Sequence, residues 1–252
     1  MKKTILILGK GPTAFECEPN DKLDIAVVNN GLVLCPNPTY SVFNDIEPMC
    51  LIEDKYFEKV ETMIVPTYLH SQYNLEPDRP INVHWQKLFD LFPGRYNHVK
   101  NFKLYELHEG DNSKPEEQER TGRENAGVPS FGTWPYSIGG TAVLFLSLFE
   151  GYTDFIFAGF DPEGGYHPIF NDLKPTVTFS KDDNGNYIPT KVDRDTYDGP
   201  VGSELYTGQA SAAQPGKVYP INLSKMKLWA SKVGTGVHIN ELSPERREEL
   251  GL

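Results

Sequence analysis

Four short runs in this chain are apolar almost throughout and stop abruptly at glycine or polar residues: TILILG (Thr4 to Gly9), DIAVVNN (Asp24 to Asn30), TMIVP (Thr62 to Pro66) and DFIFAGFD (Asp154 to Asp161). A strand with one face in water alternates apolar and polar residues, whereas a run without alternation must be buried on both faces. That is the situation of a parallel strand between two helical layers. A fifth run, VKNFKLYEL (Val99 to Leu107), alternates more and is expected nearer an edge. Between and after these runs lie helix candidates. INVHWQKLFDLF (Ile81 to Phe92) has helical spacing, and SIGGTAVLFLSLFEGY (Ser137 to Tyr152) is apolar on nearly every side, with Ser137 as N-cap and Gly151 as stop. NLSKMKLWASKVG (Asn222 to Gly234) and VHINEL (Val237 to Leu242) add a last helix and strand. The alternation predicts an α/β fold: a Rossmann-like, mostly parallel sheet with helices on both faces.

A chain of 252 residues suffices for one such domain, expected here over 1–252. Two stretches break the alternation. His108 to Gly132 is polar and rich in breakers, and reads as a solvated loop or a mobile cover over a site. An insertion over 172–215 contains a turn cluster between two β-rich arms (Pro175 to Asp195), predicting a hairpin. Its DDNGN segment lacks the spaced acidic ligands of a calcium loop, and the DRD of Asp193 to Asp195 reads as a solvated charge cluster.

The charge balance of 24 basic to 35 acidic residues, net −11, excludes a general grip on nucleic-acid backbones. Cys17, Cys35 and Cys50 have no zinc-ligand spacing and are expected reduced. The opening MKKTILIL is too short for a signal-peptide core, so it reads as the first strand of a cytoplasmic protein. No run reaches the roughly 18 apolar residues of a membrane span, which leaves peripheral contact as the form any membrane association would take.

Gly9, Gly11 and Ala14 match the relaxed pattern G-x-G-x-x-G/A directly after a strand. The first glycine would permit the tight turn and the second would let a ligand approach the backbone. A nicotinamide cofactor would favour an acidic residue at the end of the second strand, and Asn29-Asn30 stand there instead. The P-loop pattern is absent, and Pro12 lacks the amide that a phosphate cradle would use. Asn29 and Asn30 either donate and accept to a ribose or base, or merely turn the chain before Gly31. FAGFDPEGGYH brings Gly159 and Asp161, then Tyr166 and His167, to the same edge of the sheet. Asp161 and His167 are the candidate catalytic pair for proton transfer, unless Asp161 only caps a turn.

The order and spacing of ILILGKGPT, LDIAVVNN and SIGGTAVLFLSLFEGYTDFIFAGFD resemble bacterial sialyltransferases of the lipooligosaccharide type, together with related proteins sharing a G-x-G-P-[ST] opening. The resemblance covers residues 1–60 and 133–170. It implies that Gly9, Lys10, Gly11, Pro12 and Thr13 form a donor loop and that Asn29 and Asn30 meet a nucleotide. Asp54 would fall near another polar contact, Ser137, Ile138 and Gly139 would stand where the family has T-S-G, and Gly159 and Tyr166 would complete the pocket. Two departures stand out: Lys10 replaces the usual Asn, and no histidine lies between His167 and His238, where the family carries its catalytic one. The expected activity is transfer of a sugar from a nucleotide-sugar, of the cytidine monophosphate (CMP)-sialic acid kind, to the hydroxyl of a glycan or other acceptor. No metal or further cofactor is required, because tyrosine hydroxyls replace the cation. The alternatives are a pterin diphosphokinase-like enzyme, which would need a magnesium carboxylate cluster, and a nucleotide-binding protein without catalysis. A monomer and an oligomer are equally compatible with the sequence.

Overall fold

The computed structural model describes residues 4–71, 81–111, 124–125, 127–134, 138–161, 165–184, 187–199, 201 and 237–252. The four unbroken apolar runs are strands β1 (Thr4–Leu8), β2 (Asp24–Val28), β4 (Thr62–Pro66) and β10 (Asp154–Ala158). With them come β3 (Tyr40–Val42), β5 (Tyr68–Ser71), β6 (Ile81–His84), β7 (Asn101–Asp111), β8 (Glu124–Asn125), β9 (Val128–Trp134), β11 (Val177–Lys181), β12 (Tyr187–Lys191) and β13 (His238–Glu241). The helices are α1 (Ile46–Leu51), α2 (Trp85–Leu91), α3 (Ile138–Phe149) and α4 (Pro244–Leu250).

One nine-stranded sheet runs in the order β13-β10-β1-β2-β3-β4-β7-β9-β8. Every adjacent pair is parallel except β8 with β9. The sheet is buried on both sides, as the unbroken runs require. Ile5, Ile7, Ala26, Val28, Phe155 and Phe157 face α3 and pack with Ala142, Phe145 and Leu146. Leu6, Leu8, Ile25, Val27, Met63 and Val65 face the opposite way, where Ile46 and Met49 of α1 and Phe89 of α2 close over them with Phe57, Val60 and Tyr96. This is the Rossmann-like arrangement, with helices on both faces. None of the described helices is long and apolar enough to cross a membrane.

Several boundaries differ from the expectation. Ile81–His84 is a strand that pairs with Tyr68–Ser71, and the helix begins only at Trp85. The alternation Ile81, Val83 belongs to a strand, although its spacing to Trp85 and Phe89 imitates a helix. β7 lies between β4 and β9 and is not an edge strand. Its outer neighbour comes from the polar stretch His108 to Gly132, whose ends form strand at His108–Asp111, Glu124–Asn125 and Val128–Gly132. The rest of that stretch, like the helix expected over Asn222 to Gly234 and the N-cap Ser137, falls outside the described residues. Gly151 (φ 73°) ends α3 as expected, with Tyr152 N–H returning to Leu146 O at 3.2 Å. The inserted hairpin is present as β11–β12, and its turn is tied by Asn184 N–H donating to Asp182 Oδ1 at 2.9 Å.

Tyr105 on β7 is wholly buried, and its hydroxyl donates to Phe43 O at 2.8 Å and also meets Asn44 Oδ1. This bond fixes the residues that follow β3. Tyr105→Phe should lower stability by about 1–2 kcal/mol in urea unfolding, because the buried Phe43 carbonyl loses its donor.

Candidate functional site

From β1 the chain goes on to β2 on one side of it in the strand order, and from β10 it reaches β13 on the other, so the order reverses between β1 and β10 and a crevice is expected beyond their carboxyl ends. Backbone bonds bridge that gap. Gly9 N–H donates to Ala158 O and Gly11 N–H to Gly159 O, both at 2.8 Å. Thr13 Oγ1 accepts from Gly159 N–H at 3.2 Å, and Thr13 N–H donates to Asp161 Oδ2 at 3.1 Å. Any Cβ on Gly9 would collide with Gly159 O, and any on Gly11 would collide with the Asp161 carboxylate. Gly159 itself has φ 73°, with Ala14 Cβ and Gly9 packed against it. The glycine pattern is therefore explained by the closeness of two loops. Gly11 makes room for Asp161, so the approach of this side chain already requires the glycine that was expected to admit a ligand.

The loop is no open amide cradle either. Gly9, Gly11, Thr13 and Ala14 all donate within the protein, Ala14 N–H to Gly11 O at 2.9 Å, and Pro12 has no N–H. No helix follows within residues 9–23, so no helix N-terminus adds its partial charge. Compensation for an anion falls to side chains.

Those side chains arrive on the loop after β10. His167 N–H donates to Lys10 O at 2.8 Å, and Gly165 (φ 88°) turns the chain beside Pro12. Lys10 Nζ sits 4.7 Å from the centre of the Tyr166 ring, a cation–π contact. Tyr166 packs against Leu51, as Leu173 does, and burial, reinforced by the Asp45 carboxylate, pushes the Tyr166 phenol up to about 12. It stays protonated and able to donate at neutral pH. His167 Nδ1 accepts from Ile169 N–H at 3.3 Å, capping the 3-10 turn Pro168–Phe170. That bond assigns the proton of the neutral ring to Nε2, which makes this nitrogen a donor.

The neighbouring strand ends supply the opposite wall. Asn29 is the only non-glycine residue with positive φ (49°) among the described residues, and it is 3 % exposed. Its carboxamide is held at both ends: Nδ2 donates to Asp45 Oδ2 at 3.1 Å, and Oδ1 accepts from Asn44 N–H at 3.3 Å. Asn30 is buried beside it in the 3-10 turn Asn29–Val33. Gly31 lies under the first loop, where a Cβ would stand 2.7 Å from Leu8 O. Asp45 is at the N-cap of α1 but makes no capping bond, and its carboxylate reaches Asn29 and the field of Tyr166 instead. Sequence reasoning missed Asn44 and Asp45. The available signal was that SVFND repeats the ending of VVNNG, a strand followed by two polar amide or acid residues.

The remaining expected residues divide. Gly139 presses on the Phe160 ring, which packs edge-on to Phe157, so Ile138 and Gly139 support the end of β10 from α3. Ser137 is outside the described residues. Asp161 is engaged with Thr13 and acts first on the loop. Asp54 joins a different cluster: Arg95 Nε donates to its Oδ1 at 2.6 Å, while Arg95 Nη1 donates to Met49 O at 2.7 Å. The described residues hold no cluster of three or more potential metal ligands. Compared with family models, curated proteins and solved structures, the chain finds no match.

Three outcomes follow from this geometry. Gly11→Ala should cost about 1–3 kcal/mol in chemical unfolding, since the methyl forces Asp161 away from Thr13. Asp54→Ala should lower stability, because Arg95 is buried and loses its counter-charge, yet leave the affinity for any crevice ligand unchanged by calorimetry. Unfolded tyrosine ionises near pH 10 and Tyr166 only near 12, so the fold's stability contribution from this group is complete below about pH 10 and lost as pH rises toward 12. Wild type and Tyr166→Phe should accordingly show the same absorbance change at the phenolate band up to about pH 10.5.

Proposed function

We propose that this crevice binds a nucleotide-sugar, with a CMP-linked acidic sugar favoured, and transfers the sugar to an acceptor hydroxyl. The observation that carries the reading is the convergence, at one switch point, of a donor set (Lys10, Tyr166, His167) with a carboxylate and carboxamide set (Asp45, Asn29). Glycosyl transfer makes both demands. The bond from the anomeric carbon to phosphate breaks with its electron pair going to the phosphate oxygen, and the acceptor oxygen must lose its proton as it attacks.

Lys10 Nζ, the Tyr166 hydroxyl and His167 Nε2–H suit the departing phosphate. Asn29 and Asn30, at the end of β2, suit the nucleoside. Asp45 is the base of this scheme and takes the acceptor proton. His167 is reassigned from base to donor, because its Nδ1 lone pair is already occupied by Ile169 N–H. Asp161 positions the loop through Thr13 and does not touch the reacting atoms. In this reading the donors replace a metal ion, and the setting is the cytoplasm, where nucleotide-sugars are made.

Thermal unfolding of the purified protein with CMP, UDP, GDP, ADP and their sugar conjugates, each with and without manganese, tests the proposal. Metal-independent stabilisation by CMP or a CMP-sugar is expected, near 2.7 kcal/mol when ligand stands at about 100 times its Kd. Stabilisation by another nucleotide alone, or by none, overturns the donor assignment. Asp45→Asn should retain CMP binding and lose about 10²–10⁴-fold in sugar transfer, the usual worth of a general base.

A further inference from the structure

Cys17 and Cys35 lie far apart in the apolar pattern but side by side in the fold. Cys17 belongs to the connection that leaves the Gly9–Thr13 loop, and its N–H donates to Leu34 O at 3.2 Å. Cys35 closes the turn opened by Asn29, with its N–H donating to Gly31 O at 3.2 Å. The backbone bond to Leu34 puts Cys17 beside the residue that precedes Cys35, and Cys17 packs against the core cluster that contains Cys35. Cys35 is fully buried, whereas Cys17 is half-buried and reachable from solvent. Arg247 of α4 covers the Phe15 ring at 3.9 Å and places its positive charge near Cys17, with Glu18 opposing it. The contact with Cys35 and then Arg247 hold the Cys17 thiol below its ordinary range, against burial and Glu18. Residues 14–19 have no regular secondary structure, so the backbone beside Cys17 can adjust without breaking a strand or helix.

We propose that Cys17 and Cys35 are a reactive dithiol that closes to a disulfide by exchange with a low-molecular-weight disulfide of the glutathione type, with Cys17 as the attacking and Cys35 as the resolving thiol. The Cys17 thiolate attacks one sulfur of the oxidised glutathione, and the first glutathione leaves as thiolate. Cys35 then loses its proton and attacks Cys17 Sγ of the mixed disulfide, expelling the second glutathione. Two protein thiols are oxidised and one glutathione disulfide is reduced to two thiols, so atoms and electrons balance. The new bond, about 2.05 Å long, would join the connection behind Gly9–Thr13 to the turn that carries Asn29 and Asn30. It would thereby tie two walls of the crevice together covalently. The inference depends on this juxtaposition of Cys17 and Cys35 and holds whatever ligand the crevice takes.

The test is to incubate the full chain with oxidised glutathione, denature it, alkylate the remaining thiols and weigh the intact protein. Of the three cysteines, only buried Cys50 should then be alkylated; no glutathione should be retained, and peptide mapping should join Cys17 to Cys35. Dithiothreitol should restore alkylation at all three. Cys35→Ser should stop at a stable glutathione adduct on Cys17, and Cys17→Ser should take up no glutathione. Full alkylation of the treated wild type, a persistent adduct without a protein disulfide, or a bond involving Cys50 would each overturn the proposal.

Discussion

The hydrogen bonds that cross from the end of β1 to the end of β10 constrain everything around them. In an open parallel sheet the strands at a switch point send their connections to opposite faces, and the resulting gap is where ligands are accommodated. In this chain Gly9, Gly11 and Thr13 close part of that gap with Ala158, Gly159 and Asp161. The backbone donors that would otherwise be available to an anion are thereby committed to architecture. Recognition is transferred to side chains borne by the same loops, and the loops are rigid because they are laced together. Lys10 illustrates the coupling: its carbonyl receives His167 N–H, while its ammonium faces the ring of Tyr166, the residue before.

The second fixed point is Asn29. A left-handed backbone costs an L-residue free energy, and Asn tolerates it better than most. Here both ends of the carboxamide are bound to the segment after β3, and that segment is in turn held by Tyr105 from β7. Three strand ends are thus linked in series at the carboxyl edge: β2 to β3 through Asn29, and β3 to β7 through Tyr105. Backbone outliers of this kind persist where the surroundings over-determine them, and they concentrate at functional positions.

Burial decided what could be read from the sequence. β1, β2, β4 and β10 were legible because parallel strands covered on both faces leave no room for polar residues. β3 was not, since three residues between Thr39 and Phe43 make no run. β9 was hidden in a stretch whose charged middle dominated its composition. In the site, the glycines signalled that something approaches the backbone, but a sequence cannot say whether the visitor is a ligand or a neighbouring loop; Asp161 and Gly159 turned out to be the visitors. The pairings Asn29–Asp45 and Lys10–Tyr166 join residues brought together only by sheet order, so no local pattern announces them. Asp54, named through the resemblance, has its carboxylate held by Arg95, a partner distant in sequence that no local pattern announces.

The chemistry of the proposed donor pocket follows from how its charge is composed. Tyr166 is a neutral donor at physiological pH because its ionisation is pushed up to about 12, and His167 offers Nε2–H beside it. Both would stabilise negative charge through directed hydrogen bonds. Lys10 supplies a full positive charge, and Asp45 and Asp161 hold carboxylates beyond the ends of β3 and β10. On the proposed reading, that composition suits a single phosphate, whose charge is matched by Lys10 and whose oxygens are matched by the Tyr166 hydroxyl and His167 Nε2–H. A second phosphate would bring uncompensated charge toward the carboxylates in a chain whose net charge is already −11. On the same reading, Lys10 is a way to hold one phosphate without loop amides, which Gly9, Gly11 and Thr13 have already committed to the end of β10 and the residues after it.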